Sequence, residues 1–392
     1  MQKLLLPILL ILLSVSLPVN AQQTVTGRVI DSSDGQPLPG ASVFISGTTI
    51  GTSTDSDGNF SLTAPIQGSF EVAVHFLGFQ PASRTIDTSQ DTHIVNFALL
   101  EQVTVLQELV VTAGSPARRR HEDLFWRLFL GERPSNRGMQ VLNPEVVEFS
   151  LTPLGNLRVF AEEPIEIINH NIGYRISYVL QQFEHDFRLD QTRLMGMPLF
   201  TELTPQNDRQ QRDWERNRAL IYSTSLTSFI RSLYHQQLAQ HGFLLAQITD
   251  GDPQRLTSLA LTPEDITRMR IPARRVTTER ESPFSYQTIL QRDEEGTRFI
   301  LQQSAFLGFL STPVTFIMFE DPHTILFRRG ATFPLIRIMP TNVIIYADGS
   351  YSGRLHIIEY RDTVFGIRAR LPIEYGLDTP AAPVVRHSLR RW

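Results

Sequence analysis

Residues 24–112 consist of short runs in which apolar and polar side chains alternate, separated by clusters of turn residues. Alternation with a period of two buries every other side chain of a strand, so it predicts strands rather than helices. The predicted strands are Val25–Ile30, Ala41–Ile45, Phe60–Thr63, Phe70–Phe76 and Ile94–Leu99. Strands this short and this closely spaced are typical of a β-sandwich, here of about 90 residues.

Helical periodicity appears in three places in the rest of the chain. Apolar residues at helical spacing predict a short helix over His121–Leu130, which Gly131 ends, and a longer helical region over 208–240. Thr262 and Pro263 have the residue types of a helix start, as N-cap and first helical position.

Strand-like alternation fills most of the remaining sequence. It runs from Glu145 to about Phe200 and again from Val276 to Leu371, where Ala347–Ser350 has the composition of a hairpin turn. The predicted fold class is therefore mostly β and α+β overall. It comprises an N-terminal β-sandwich and a larger α+β domain with a helical insertion around 208–240.

The first 21 residues have the three-part pattern of a secretory signal peptide. Lys3 supplies the positive charge, an apolar run follows from Leu4 to Leu13, and Val19-Asn20-Ala21 is a cleavage site. We therefore expect an exported protein, periplasmic or associated with the outer membrane, without a membrane-spanning helix after cleavage. The predicted organisation is a signal peptide at 1–21, a sandwich at 22–113, a linker at 114–120, an α+β domain at 121–378 and a Pro- and Arg-rich tail at 379–392.

The composition excludes several kinds of chemistry. The 392 residues contain no cysteine, which excludes disulfides, thiolate metal sites and a lipoprotein anchor. Lys3 is the only lysine, so a chain cleaved after Ala21 has none for a Schiff base or a phosphate-binding loop. The sequence offers no physical reason for this preference for arginine.

Four motifs of the first domain carry a resemblance to a known family. They are Val25–Asp31, Gln36–Ala41, Gly51–Asp55 and Asp57–Phe60. Together they resemble the carboxypeptidase-regulatory-like domain, which implies a transthyretin-like sandwich of seven strands. That domain accompanies metallocarboxypeptidases and also precedes TonB-dependent glycan-uptake receptors. Only 279 residues follow Ala113, and they include helical patterns, so the chain is not expected to be such a receptor.

The second half resembles, less specifically, a family of exported proteins of unknown function that also carry this domain. Matching pieces include Gly173-Tyr174, Tyr222 and Arg231, whereas Thr224 and Ser228 replace a Gly and a His that the family usually has. The resemblance therefore implies architecture and export rather than a reaction. We take Tyr174, Arg175, Tyr222 and Arg231 as candidate binding residues.

No residue pattern supports a metal site or a catalytic site. His356 and Glu359 have the spacing of zinc ligands in carboxypeptidases, but a strand places them on opposite faces and only His387 follows as a third ligand. Asp55 and Asp57 suggest calcium, yet position twelve of such a loop is Ile66, so a hairpin turn is favoured. The sequence contains no Gly-x-Ser-x-Gly motif. We predict no metal, no cofactor and no catalytic residue.

Charge also bears on the partner. Residues 24–112 have two arginines against nine carboxylates, whereas residues 113–392 have 33 arginines against 31. Export and this balance argue against nucleic acid. The sequence predicts a non-enzymatic cell-envelope protein that binds a protein or polysaccharide partner. Two alternatives remain open: an atypical, zinc-independent hydrolase of peptides or glycans, and a glycan-binding accessory protein that stacks sugars on Trp126, Trp214 or Tyr222.

Overall fold

The computed structural model describes residues 23–86, 92–102, 109–110, 116–131, 137–223, 225–235, 237, 243–247, 276–277, 286–292, 298–305, 314–318, 335–339, 343–352, 356–360, 367 and 370–377. Four sequence predictions lie outside these residues. They are the signal peptide, the helix start at Thr262, the tail at 379–392 and the position of His387.

The N-terminal part is a sandwich of two four-stranded sheets. One has the order β4-β1-β7, with β8 also on β1, and the other has the order β3-β2-β5-β6. In β4, Phe60, Leu62 and Ala64 are buried while the residues between them are exposed. The predicted β-sandwich is thus confirmed. Its strands are β1 Gln23–Asp31, β2 Ser42–Ile45, β3 Gly51–Ser53, β4 Asn59–Ala64, β5 Phe70–His75, β6 Ala82–Ile86, β7 Thr92–Ile94 and β8 Phe97–Leu99.

The short strands β7 and β8 are two halves of one interrupted strand. Both pair in parallel with β1, and between them the Val95 amide donates to the Thr26 carbonyl at 2.8 Å. Counted as one strand, they give the seven strands that the resemblance implies. The interruption brings the Val95 carbonyl oxygen within 1.8 Å of where a Cβ on Gly27 would lie, so only glycine fits at residue 27.

A seven-stranded antiparallel sheet forms the centre of the second part. Its order is β10-β13-β14-β12-β11-β9, and β15 pairs with the long strand β14. Leu109–Val110, which the sequence analysis assigns to the first domain, joins this sheet by pairing with β11. The strands are β9 Leu109–Val110, β10 Met139–Val141, β11 Val147–Leu151, β12 Leu157–Ala161, β13 Ile165–Asn169, β14 Tyr174–Asp186 and β15 Gln191–Glu202.

Helix α1, Pro116–Leu130, covers one face of this sheet. Phe125 and Phe129 are fully buried and stack with their ring centroids 5.2 Å apart, and Phe125 also meets Phe183 of β14 edge-on at 4.9 Å. The helix begins at Pro116, five residues before the predicted start. The segment predicted as a linker at 114–120 is thus mostly the first turns of α1, and its proline takes the first helical position, where no amide is needed.

The predicted helical region consists of two helices. Helix α2 spans Asp208–Ser223 and helix α3 spans Leu226–Tyr234. The Ser225 hydroxyl accepts a bond from the Ser228 amide at 3.1 Å, as an N-cap residue does, so a new helix starts here instead of one continuing. Residues 238–240 of the prediction lie outside the described part of the chain.

The described parts of residues 243–360 form strands of two further sheets, with orders β16-β20-β21-β24 and β17-β18-β19-β22-β23. The Gly349 amide donates to the Tyr346 carbonyl, which confirms the hairpin turn predicted at Ala347–Ser350. The strands are β16 Phe243–Gln247, β17 Val276–Thr277, β18 Tyr286–Arg292, β19 Arg298–Ala305, β20 Val314–Met318, β21 Leu335–Met339, β22 Val343–Tyr346, β23 Tyr351–Ser352 and β24 His356–Tyr360.

Candidate functional site

Three of the four candidate residues lie in one polar cluster, and the fourth does not. Tyr174 at the start of β14, Tyr222 near the end of α2 and Arg231 in α3 all lie near Tyr375. The Tyr375 ring meets that of Tyr222 edge-on at 5.7 Å, its carbonyl accepts from Arg231 at 2.8 Å, and it contributes to the raised pKa of Tyr174. Arg175 follows Tyr174 in the strand and therefore points to the opposite face. There it pairs with Glu166 at 2.7 Å, with its side chain about half exposed.

The guanidinium group of Arg231 is buried and bonded on every side. Its Nε donates to the carbonyl of Asp348 at 2.8 Å, and Nη1 donates to the Tyr222 hydroxyl at 2.9 Å and to the Tyr375 carbonyl at 2.8 Å. Its Nη2 reaches the carbonyl of Ile373 at 3.1 Å. A planar group with five donors can bridge several acceptors at once. Arg231 thus joins α2, α3, the turn between β22 and β23, and the segment 373–375.

A second buried arginine, Arg218, was not among the predicted site residues. It donates to the carbonyls of Ile172 and Gly173 and to the carboxylate of Glu202. Its guanidinium carbon lies 4.2 Å from the centroid of the Tyr174 ring. In the sequence Arg218 lies four residues before the candidate Tyr222, in the same predicted helical region, but its partners are in the turn before β14 and at the end of β15, which no local pattern connects to it.

Two of the aromatic residues considered for sugar stacking belong to the interior. Trp214 is only 5% exposed, and its Nε1 donates to the carbonyl of His170 at 2.7 Å. Trp126 is partly buried and packs against Phe125, with ring centroids 4.7 Å apart. The Tyr222 hydroxyl is taken up by Arg231, so the stacking residues proposed from the sequence do not form an open platform.

The loop Gly47–Thr49 of the sandwich fits between β15 and the segment 373–375. The Gly47 amide donates to the Pro198 carbonyl at 2.7 Å, and the Phe200 amide donates to the Thr48 carbonyl at 2.8 Å. On the other side, the Ile373 amide donates to the Gly47 carbonyl at 2.8 Å. The sandwich and the second part are therefore joined by backbone hydrogen bonds as well as by side chains.

Glu374 closes the same junction. Its Oε1 accepts from both the amide and the hydroxyl of Thr49, the latter at 2.6 Å, while its Oε2 is buried. We call Tyr174, Arg218, Tyr222, Arg231, Glu374 and Tyr375 the junction cluster.

The turn between β22 and β23 makes a second contact with the sandwich. Asp348 accepts from the Gln67 amide at 2.7 Å, and the Ser350 hydroxyl accepts from the Gly68 amide at 2.7 Å. Because Arg231 binds the carbonyl of Asp348, this turn and the junction cluster are held together. The sequence predicted the turn but not its partner, 281 residues away.

Tyr174 and Tyr375 of the junction cluster are neutral at physiological pH. Burial raises the pKa of Tyr174 to about 12, and the Arg218 guanidinium only partly opposes this effect. Burial likewise raises the pKa of Tyr375. A tyrosine with a raised pKa is a poor general base, so these hydroxyl groups are suited to donating and accepting structural hydrogen bonds.

Asp55–Gly58 forms a tight turn, in which the Gly58 amide donates to the Asp55 carbonyl at 3.0 Å, but it is not the hairpin turn that the sequence favoured, because β3 before it and β4 after it belong to different sheets. Asp55 Oδ1 accepts from the amides of Asp57 and Asn59 at 2.9 and 2.7 Å, and Gly58 has a φ of 78°. These bonds lower the pKa of Asp55. Within the described ranges, no three His, Cys, Asp or Glu side chains are grouped to hold a metal ion, and no helix is long and apolar enough to span a membrane.

Comparison with known proteins identifies the first domain. Residues 25–111 match the family model of the CarboxypepD_reg-like domain. Among curated proteins, the TonB-dependent receptor SusC of Bacteroides thetaiotaomicron is 36% identical over 96 residues. That segment is 24% of this chain and 9% of the receptor. A TonB-dependent receptor of Formosa agariphila is 32% identical over 101 residues, which are 26% of this chain and 9% of that protein.

Solved structures add little to this assignment. A cohesin–X-dockerin complex from Acetivibrio cellulolyticus is 23% identical and aligns with 19% of this chain and 51% of that chain, but with a TM-score of only 0.15. The chain spans about a tenth of the length of the curated receptors that it matches. The N-terminal sandwich of this protein is a carboxypeptidase-regulatory-like domain.

Proposed function

We propose that this protein is a non-enzymatic binding protein of the cell envelope, in which the sandwich and the second part act as one rigid unit. The sandwich is of a kind that occurs in TonB-dependent receptors, which supports an exported protein in the periplasm or at the outer membrane. The junction cluster supports the rigid unit, because its two arginines bind carbonyl, hydroxyl and carboxylate oxygens of this chain.

One observation carries the proposal: large apolar side chains are exposed at one end of the seven-stranded sheet. Leu157 pairs with His185, which places the turn between β11 and β12 beside the turn between β14 and β15. Leu154 on the first turn is 73% exposed, and Phe187 and Leu189 on the second are 46% and 64% exposed. We call these three residues the turn surface. Neighbouring exposed apolar side chains are typical of a site that a partner covers.

The partner is an envelope protein or polysaccharide. Two features favour a protein: the turn surface is apolar, and Arg188 lies between Phe187 and Leu189 in the sequence. Protein–protein interfaces concentrate aromatic, aliphatic and arginine side chains.

Photo-crosslinking in intact cells tests this function. Amine-reactive reagents do not suit a chain whose only lysine is Lys3, so a photoreactive phenylalanine analogue replaces Phe187. The matched control carries the analogue at Leu100, which is also exposed but lies at the end of the sandwich. We expect a reproducible adduct with one envelope component from residue 187 and not from residue 100. Turnover of a peptide or glycan by the purified chain, without such an adduct, would show instead that the hydrolase alternative is correct.

A further inference from the structure

Among the strands that the structure describes, none pairs with the outer edge of β15 over Thr192–Gly196. One of its edges pairs with β14 along its whole length. Along the other edge, the carbonyl of Pro198 and the amide of Phe200 bind the loop Gly47–Thr48 of the sandwich. Pro198 and Phe200 thus direct these backbone groups away from β14. Because this direction alternates along a strand, the amide and carbonyl groups of the other even-numbered residues of β15 point away from β14 as well.

By the same alternation, the amide and carbonyl groups of residues 192, 194 and 196 point away from β14. Their neighbourhood is accessible: Thr192, Arg193 and Met195 are exposed, and Met195 is 55% exposed. The stretch ends at Asp190, whose φ of 50° belongs to the turn, and at the contact of the sandwich loop with Pro198. A row of outward amide and carbonyl groups is a template for another strand.

We propose that a second copy of this chain covers this edge, through antiparallel pairing of β15 with β15 about a two-fold axis at Leu194. In this register Leu194 pairs with Leu194 of the other copy, and Thr192 pairs with Gly196. All outward backbone groups of the five residues then find partners, because the even-numbered residues face one another as hydrogen-bonded pairs. A two-fold contact of this kind is closed and yields a dimer rather than a fibre.

The side chains fit this register. Arg193 of one copy lies opposite Met195 of the other, in the non-hydrogen-bonded pairs where side chains come closest. The long apolar stem of an arginine packs well on a methionine. The charge of Arg193 is offset within its own sheet by its β14 partner Glu184, whose pKa it helps to lower. The two arginines at the axis are therefore not left without a compensating charge.

Two substitutions at Met195 test the pairing without disturbing the interior. Met195→Arg places like charges opposite each other twice in the dimer, whereas Met195→Glu places a carboxylate opposite each Arg193. We expect wild type and Met195→Glu to sediment as dimers, and Met195→Arg to raise the dimer dissociation constant by about tenfold or more. A wild-type chain that stays monomeric at every concentration overturns the proposal. This holds also if the monomer binds a foreign peptide strand at this edge. Equal association of the two variants overturns it as well.

Cysteine cross-linking tests the register itself, since the chain has no native cysteine. A Leu194→Cys variant places the two thiols on residues about 5.5 Å apart between Cα atoms, within disulfide range. In the matched Thr192→Cys variant the two cysteines are separated by four residue positions, about 13 Å, which is too far. Oxidation should give a covalent dimer with Leu194→Cys only. Equal yields from both variants, or none from Leu194→Cys, would contradict this register.

Discussion

Thr49 and Glu374 are 325 residues apart in the chain, yet Thr49 donates both its amide and its hydroxyl to a single carboxylate oxygen of Glu374. The contact ties a loop of the sandwich to the segment that also receives Arg231. It shows that the two parts of the protein are joined by specific hydrogen bonds between side chains and loops.

Removing this carboxylate should loosen the junction. Glu374→Ala removes the acceptor of the Thr49 amide and hydroxyl, for which water can partly substitute because Thr49 is exposed, so we expect it to lower the free energy of unfolding by about 1 kcal/mol. Glu374→Gln keeps an acceptor oxygen, so its loss should be smaller. Urea denaturation measures both, with the exposed Glu148→Ala as control. A Glu374→Ala variant as stable as the control would contradict this role.

The two candidate arginines should differ in how much stability is lost when each is replaced. Arg231→Ala leaves four oxygen acceptors unbonded in a buried site, and we expect a loss of about 3 kcal/mol or more. Arg175→Ala removes an ion pair whose arginine is about half exposed, so the expected loss is about 1 kcal/mol or less. Thermal unfolding compares the loss of stability in the two variants directly. Similar losses would contradict a buried Arg231 whose hydrogen bonds stabilise the fold.

Alkaline pH should destabilise the fold through Tyr174. Because the pKa of Tyr174 is raised from 10.0 to about 12, the folded chain holds the phenol proton more tightly than the unfolded chain. Stability is therefore fully present below pH 10 and is lost as the pH rises toward 12. The share due to Tyr174 is about 2–3 kcal/mol. Tyr174→Phe removes this share, so its stability should fall less over the same pH range, as denaturant unfolding at each pH would show. Parallel pH dependence in the two proteins would contradict the assignment.

Substitution of Gly27 should prevent the sandwich from forming. Any Cβ at this position meets the Val95 carbonyl oxygen at 1.8 Å, which is backbone and cannot move aside. We expect Gly27→Ala to cost several kcal/mol, whereas Gly35→Ala, with nothing nearby but a φ of 74°, should cost about 1 kcal/mol. Circular dichroism and thermal unfolding distinguish these outcomes. Equal losses of stability in the two variants would mean that the break between β7 and β8 does not lie against Gly27.

Local patterns predicted much of the fold. Strand β4 follows from alternation because it buries every other residue, whereas β2 and β5 each bury three consecutive residues. The break between α2 and α3 was missed, although Ser225 before Leu226 carried the signal of an N-cap. The addition of Leu109–Val110 to the sheet of the second part could not be predicted, since only its partner β11 defines it as a strand.

The candidate site was predicted only in part. Tyr174, Tyr222 and Arg231 were selected from motif pieces, and the structure brings them together near Tyr375. Three of the four partners of Arg231 lie 117 to 144 residues further along the chain, and no periodicity connects residues at such distances. Arg175 was selected as a neighbour of Tyr174, and strand geometry places it on the other face.

If the junction cluster holds the sandwich and the second part together as one unit, weakening the cluster should open the contacts between them. Hydrogen exchange at the amides of Gly47 and Thr49 reports on these contacts, because both amides bond across the junction and neither touches Arg231. In Arg231→Lys, an ammonium group cannot reach all four acceptors, so we expect both amides to exchange about tenfold faster or more, with no change in Arg175→Ala. Unchanged exchange in Arg231→Lys would show that the sandwich is held independently of the cluster.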